Sequence, residues 1–318
     1  MGIVGRVYNM LAESSPFVEV MLRSVYWKFP SVLSKFSPNK TNRVHRKEGL
    51  LDFEEVVSFL MSCGIGKGDI VILHSSYGNL KPVTLDNRGI VERLLELVGE
   101  DGTLAAPVIR IYAEERSLSF KEQMNDGCSS KVCVYDVENT PISSGVLPIT
   151  LKQHKHSVTS KHPINPLTAV GKDAVAMMEH NLDGDAPSGH GLNSCWKYCA
   201  DQNAYIVYLG VDFGHHLTMQ QVVSESFKTS TPTNFFTTRR FIIKDKDVER
   251  SVCVKERRRC MTKKLPERCV RKDLLKAGIF KTANIQGVSI SVVRSRDLID
   301  FYLSKRRYYP YYFFIRNK

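Results

Sequence analysis

The stretch Tyr205 to Glu225, YIVYLGVDFGHHLTMQQVVSE, constrains this chain more than any other, because it joins a run of buried character to a polar helix through a glycine-containing turn. Tyr205 to Val211 is almost continuous in β-branched, aromatic and aliphatic residues, as expected of a strand covered on both sheet faces. Asp212 to Leu217 is then the loop leaving the strand's carboxyl end, where open α/β sheets bind their ligands. Thr218 is an N-cap candidate, its hydroxyl suited to an orphan N–H of the first turn. Gln221, Ser224 and Glu225 follow within one turn of each other, so a helix starting here directs all three to one side. A capped surface helix behind a core strand has the same pattern, and both readings stand.

Upstream, Asp52 with Glu55 has the spacing of a capping box, and Phe53, Val56, Val57, Leu60 and Met61 recur with helical period. Gly64 to Asp69 turns the chain into a strand, Ile70 to Leu73, that delivers His74, Ser75 and Ser76 at its carboxyl end. A second helix is predicted over Ile90, Val91, Leu94, Leu95 and Val98, and Gly102 opens a second strand, Thr103 to Ile109. Strand, helix, strand is the order of a parallel or mixed sheet with helices on its faces. Arg110 to Thr159 is irregular and polar, long for a bare connection, and reads as a substrate-lining insert. A third helix is predicted over Lys172 to Asn181. The expected fold is therefore α/β, a central parallel or mixed sheet flanked by helices, with a small basic C-terminal α+β lobe. The expected divisions are an N-terminal basic amphipathic arm over 1–50, a catalytic core over 51–234 and the basic lobe over 235–318.

Charge is unevenly spread. The net charge is +12, yet the chain from Phe227 onward carries 24 Lys/Arg against 8 Asp/Glu, and the part before it 21 against 25. Such a surplus attracts nucleic acid, an anionic membrane surface or a polyphosphate ligand. No RNA-recognition signature, paired-cysteine zinc pattern or basic zipper accompanies it, so nucleic acid is not the expected partner. The eight cysteines contain no C-x-x-C and read as reduced thiols of a cytoplasmic protein. Met1 to Phe36 alternates apolar residues with Arg6, Arg23, Lys28 and Lys35. It suits a helix lying on the inner membrane face, or an arm packed on the domain or on a second subunit of a homo-oligomer.

Four segments add a family resemblance. GDIVILHSSYGNL, with Gly68, Asp69, His74, Ser75, Ser76 and Leu80, continues at suitable spacing into LVGEDGTLAAP, with Gly99, Gly102, Thr103, Leu104 and Pro107. DVENTPISSG follows, with Asp136, Thr140, Pro141 and Gly145, though Val137 stands where proline is usual. Ser160-Lys161-His162-Pro163 with Ala169 and Gly171 is third, and LGV with Thr218 and Glu225 is fourth. Over roughly Phe53 to Glu225 these resemble the aminoglycoside N3-acetyltransferase family, which transfers acetyl from acetyl-CoA to a sugar amine. The resemblance implies acetyl-CoA as acyl donor, no metal, and an amino-sugar acceptor. It points to Ser75, Ser76, Thr103, Ser160 and His162 for the coenzyme and to Asp136 and Thr140 for the acceptor, and Asp212 joins the acceptor candidates by its place in the loop at the strand's carboxyl end.

One position breaks the pattern. The family's last helix reads Thr-x-x-His, the His serving as base, and here Gln221 stands at that spacing after Thr218. A carboxamide does not take a proton from an amine, and general-base catalysis is typically worth about 10²- to 10⁴-fold. Candidate replacements are His215 and His216 in the preceding loop, whose bland reading is two solvated loop histidines, and Glu225, one residue out of phase with the family's acid. His74 reads as a core histidine, and Cys195 with Cys199 as packing rather than nucleophilic residues. His154 and His156 lack the companion ligands of a zinc site. The basic last third suits an anionic acceptor, a nucleotide- or lipid-linked amino sugar of surface-polysaccharide assembly. The alternative raised by Gln221 is a family member that binds or scaffolds in glycan assembly without turnover.

Overall fold

The structure, a computed structural model, describes residues 10–28, 49–119, 122–123, 127–212, 218–227 and 234–305. Its centre is made by the most apolar segments of the chain, β1 (Ile70–Ser75), β2 (Thr103–Pro107) and, further along, Tyr205–Leu209. The intervening strands are β3 (Val132–Asp136), β4 (Val158–Thr159) and β5 (Leu167–Gly171), so Tyr205–Leu209 is β6. Four more follow, β7 (Phe236–Asp245), β8 (Val248–Arg257), β9 (Lys281–Ile285) and β10 (Val288–Arg294). Among the described residues the main sheet has seven strands in the order β4-β5-β2-β1-β6-β10-β9. Only the β2-β1-β6 centre is parallel, so the sheet is mixed, within the expected α/β class.

Successive strand side chains point to opposite faces, which sorts the core into two layers. On one face Ile70, Ile72, Ile206 and Tyr208 pack with Trp196, Cys199, Val222, Val223, Leu298 and Tyr302. On the other, Val71, Leu73, Val207 and Leu209 meet Phe53, Val56, Leu60, Ile90 and Leu94. Among the described residues, the α-helices longer than four residues are α1 (Pro16–Lys28), α2 (Phe53–Ser62), α3 (Asn87–Val98), α4 (Val146–Lys152), α5 (Ala174–Glu179), α6 (Cys195–Asp201), α7 (Thr218–Ser226), α8 (Glu267–Ala277) and α9 (Ser295–Lys305). Helices α2 and α3 cover the second face, α5, α6, α7 and α9 the first.

The capping expected at Asp52 is completed from far along the chain. Its side chain accepts from the Glu54 N–H at 3.0 Å, but its own N–H donates to Gln286 Oε1 at 2.9 Å instead of reaching Glu55. Gln286 lies in the two-residue turn of the β9–β10 hairpin, where Gln286 and Gly287 both have positive φ, the conformation such turns favour.

Residues from 235 onward contribute strands to both sheets. Strand β10 lies antiparallel against β6, with Ile290 opposite Leu209, and thereby covers an edge that the parallel centre would leave unpaired. The β7–β8 hairpin instead pairs in parallel with β3, from the 110–159 insert, as a second, three-stranded sheet. The basic segment therefore closes both sheets.

Helix α1 packs on the domain, as one reading of the arm expects. Arg23 pairs with Glu267 at 2.9 Å, and Lys272 Nζ donates to the Glu13 carbonyl at 3.1 Å. Phe17, Met21 and Val25 remain exposed on its outer side. Among the described residues no helix is long and apolar enough to cross a membrane.

Candidate active site

Strands β1 and β6 run parallel, so their carboxyl ends lie side by side, with Ser75 opposite Leu209. The Ser76 N–H donates to the Leu209 carbonyl at 3.0 Å, and Asn79 Nδ2 to the Gly210 carbonyl at 2.8 Å. Gly210 is needed there. Its φ is +64°, and a Cβ on it would stand 3.1 Å from that of Asn79. Ser75 Oγ is buried and has no hydrogen-bond partner. A buried hydroxyl left without a partner is costly.

Behind β6, α7 presents Gln221 and Glu225 on one face, one turn apart. Gln221 is half-buried, and its carbonyl accepts from Ser224 Oγ at 2.9 Å. Thr218 is the first helical residue, and its Oγ1 is buried without a partner, so it does not cap α7 through its side chain. The Glu225 side chain is only 3% exposed. Its Oε2 accepts from Ser188 Oγ and, at 3.3 Å, from the His190 N–H, and its Oε1 lies 3.5 Å from His190 Nδ1. Burial acts to raise this carboxyl, but His190, Ser188 and the half-buried Arg257 outweigh it and hold the group below its ordinary value. Glu225 is thus the ionised partner of a buried imidazole.

The 186–191 loop that brings His190 here is clamped from two sides. Lys255 of β8 donates its N–H to the Pro187 carbonyl at 2.9 Å, and Ser226 Oγ donates to the His190 carbonyl at 2.6 Å. Gly189 passes so close to the neighbouring segment that a Cβ would lie 2.6 Å from the Ile164 carbonyl oxygen. The His190 ring lies 5.8 Å from that of Trp196, Trp196 stacks on His74 at 6.1 Å, and His74 on Tyr208 at 5.1 Å. This file of rings links the Glu225 pair to the carboxyl end of β1.

The expected residues divide into groups. Ser75, Ser76, Gln221 and Glu225 stand at the carboxyl ends of β1 and β6 and on the helix behind them. Asp212, in the loop after β6, is paired with Arg271 of α8 at 3.0 and 3.1 Å. Thr103 begins β2 beside Ile70, at the other end of the sheet from Ser75 and roughly 16 Å from it at 3.3 Å per strand residue. There its Oγ1 accepts from the Asp173 N–H at 2.9 Å. Ser160 and His162 tie loops together. Ser160 Oγ donates to Asn181 at 2.5 Å and accepts from the His162 N–H at 3.1 Å. His162 Nδ1 accepts from the Ile164 N–H at 3.1 Å, which leaves Nε2 to donate to the Pro187 carbonyl at 3.3 Å. Burial pushes His162 down to about 4, so it stays neutral.

Asp136 closes a turn by accepting from the Glu138 and Asn139 N–H groups, both at 2.9 Å, and Thr140 Oγ1 accepts from the Asp136 N–H at 2.9 Å. His74 lies in the ring stack of the core, in keeping with its sequence reading. Cys195 and Cys199 are buried in the same layer, where burial pushes Cys195 up to about 12 and Cys199 well up too, so neither is a thiolate. His215 and His216 lie outside the described residues. His190 has no place among the expectations from sequence; its only local signal is the Gly-His-Gly run in SGHGLNS.

A protein-family model described as aminoglycoside 3-N-acetyltransferase matches residues 72–305. The curated aminoglycoside N(3)-acetyltransferase VIII of Streptomyces fradiae is 23% identical over 267 residues, 81% of this chain and 92% of the relative. Among solved structures, AAC-VIa bound to sisomicin superposes with a TM-score of 0.66 at 16% identity, covering 81% of this chain and 98% of that one. AAC-IIIb in a binary complex with CoASH gives 0.64 at 16% identity, covering 82% and 99%. With a fold shared along almost the whole length of these proteins, and a family match that runs from β1 to the end of α9, this chain belongs to the aminoglycoside 3-N-acetyltransferase family and is an N-acetyltransferase with acetyl-CoA as its acyl donor.

Proposed function

We propose that the acceptor is the amine of an amino sugar carried on an anionic group, such as a nucleotide- or lipid-linked diphosphate. The carrying observation is the state of the acids behind β6. Asp212 is paired with Arg271, and Glu225 is buried against His190 with Arg257 nearby. A polycationic aminoglycoside is best held by carboxylates open to it, whereas Asp212 is already matched by Arg271 of the chain's own basic segment and Glu225 is buried against His190 and Ser188. An arginine beside the loop after β6 suits a phosphate better.

In the reaction the acceptor amine attacks the thioester carbonyl carbon, the C–N bond forms, the C–S bond breaks, and coenzyme A leaves as the thiol. Ser75 and Ser76 hold the coenzyme at the end of β1. The chemistry needs a proton acceptor for the amine and donors for the developing oxyanion. Thiol release from acetyl-CoA tests the reading, with sisomicin and apramycin compared against a nucleoside-diphosphate amino sugar. The anionic acceptor is expected to have the higher kcat/KM, and a tenfold preference for the aminoglycosides would overturn the assignment. Gln221, at the family's base position, favours a second reading, a member that binds without turnover; it gains if no amine releases thiol.

A further inference from the structure

Two histidines on adjacent loops are buried side by side, and they are satisfied differently. His162 has a partner at both ring nitrogens. His190 is 1% exposed, places Nδ1 against Glu225, and leaves Nε2 buried with no hydrogen-bond partner. Buried polar atoms of native proteins are rarely left this way, and one that persists calls for a reason. A histidine kept only for packing has no use for a buried carboxylate at one nitrogen and nothing at the other.

We propose that His190 is the proton acceptor of the acyl transfer, oriented by Glu225. The inference rests on the acetyltransfer reading above. Glu225 at Nδ1 selects the tautomer whose Nε2 carries a lone pair, the same logic by which a carboxylate aims the imidazole of a hydrolytic triad. Ser188 and the His190 backbone N–H hold the carboxylate in turn, and Trp196 packs against the imidazole ring. Among the described residues, the charged and titratable groups facing the pair are Arg257 on β8 and His162 on the neighbouring loop.

Position supports the assignment as well. Glu225 lies one turn beyond Gln221 on the same helix face, so an imidazole reaches that face of α7 from the 186–191 loop instead of from the helix. As the amine nitrogen bonds to the carbonyl carbon, its proton passes to Nε2. The C–S bond then breaks, and the imidazolium returns that proton to the departing sulfur, so that neutral amide and neutral thiol leave. Because Nε2 is buried, the amine reaches it only after a displacement of the residues that cover it.

The test is thiol release by the full chain, with wild type first assayed against the panel of amines above. In His190→Gln, kcat is expected to fall about 10²-fold or more, with acetyl-CoA affinity by calorimetry within twofold of wild type. Added imidazole is expected to restore part of the rate in His190→Gly, which a merely structural role would not allow. A kcat within threefold of wild type in His190→Gln overturns the proposal, as does a loss that imidazole fails to rescue in a folded His190→Gly. If neither His190 variant folds, Glu225→Gln decides: at least a tenfold fall in kcat with unchanged coenzyme affinity supports the pair, and unchanged kcat overturns it. If wild type turns over and the variants match it, only this assignment falls. If wild type releases no thiol with any amine, the acetyltransfer reading falls and His190 with it.

Discussion

Glu19 of α1 caps α8, its two carboxylate oxygens accepting the backbone N–H groups of Arg268 and Cys269, each at 2.9 Å. The N-terminal arm thus supplies the anion that the positive end of a distant helix wants. Burial nevertheless raises the Glu19 carboxyl above its ordinary value, in spite of these two bonds and the nearby Arg23.

Glu19→Ala is expected to destabilise the protein by about 1–2 kcal/mol, the usual range for a lost cap, while leaving kcat for a soluble acceptor within threefold. Because the folded carboxyl is raised, the folded chain holds a proton that the unfolded chain gives up. The cost of the buried charge is therefore present above the raised value and is relieved as pH falls toward the ordinary 4.5. Denaturant melts of wild type and Glu19→Gln across that window check the sign: the wild type should gain relative to the variant as pH drops.

His162 behaves oppositely. The unfolded chain takes up a proton near 6.5 and the folded one only near 4, so stability from this residue is complete above about pH 6.5 and is lost as pH falls toward 4. The slope from this one group is at most about 1.4 kcal/mol per pH unit. His162→Gln is expected to flatten the stability profile between those values, and an unchanged profile would show that His162 is not the group responsible.

At the turn after β1, Ser75→Leu combined with Ser76→Leu is expected to weaken acetyl-CoA binding at least tenfold in calorimetry, a change of about 1.4 kcal/mol. Unchanged affinity in a folded variant removes both serines from the coenzyme site.

Gln221→His separates two sources for the base. With His190 in that role, the substitution is expected to change kcat less than tenfold. A rise of 10²-fold or more would mean that position 221 still commands the chemistry and that His190 does not.

Thiol reactivity follows burial. Cys253 is exposed, whereas Cys195 and Cys199 are buried thiols. Mass spectrometry after brief alkylation of the native protein should find label on Cys253 and none on Cys195 or Cys199, with kcat retained.

What the sequence determined by itself is what short-range pattern controls. The continuous apolar runs of β1 and β6 have to be central strands, the 3.6-residue spacing of α2 and α3 has to put one side against them, and the order of these elements sets the α/β class and the end of the sheet that carries the site. Gln221 and Glu225 were legible for the same reason, since helix periodicity alone puts them on one face. Tertiary structure decided the pairings that span long separations. It brought Ser188 and His190 from a loop 35 and more residues before Glu225 and turned that carboxylate inward. It carried β9 and β10 from the basic segment into the main sheet beside β6, and used Gln286 to finish the cap at Asp52. Neither β10 nor the Gly-His-Gly loop has a local signal for its partner, because a pairing of strands distant in sequence and a buried ionic pair are stabilised only when packing from both sides excludes water, and periodicity does not encode which surfaces will do so.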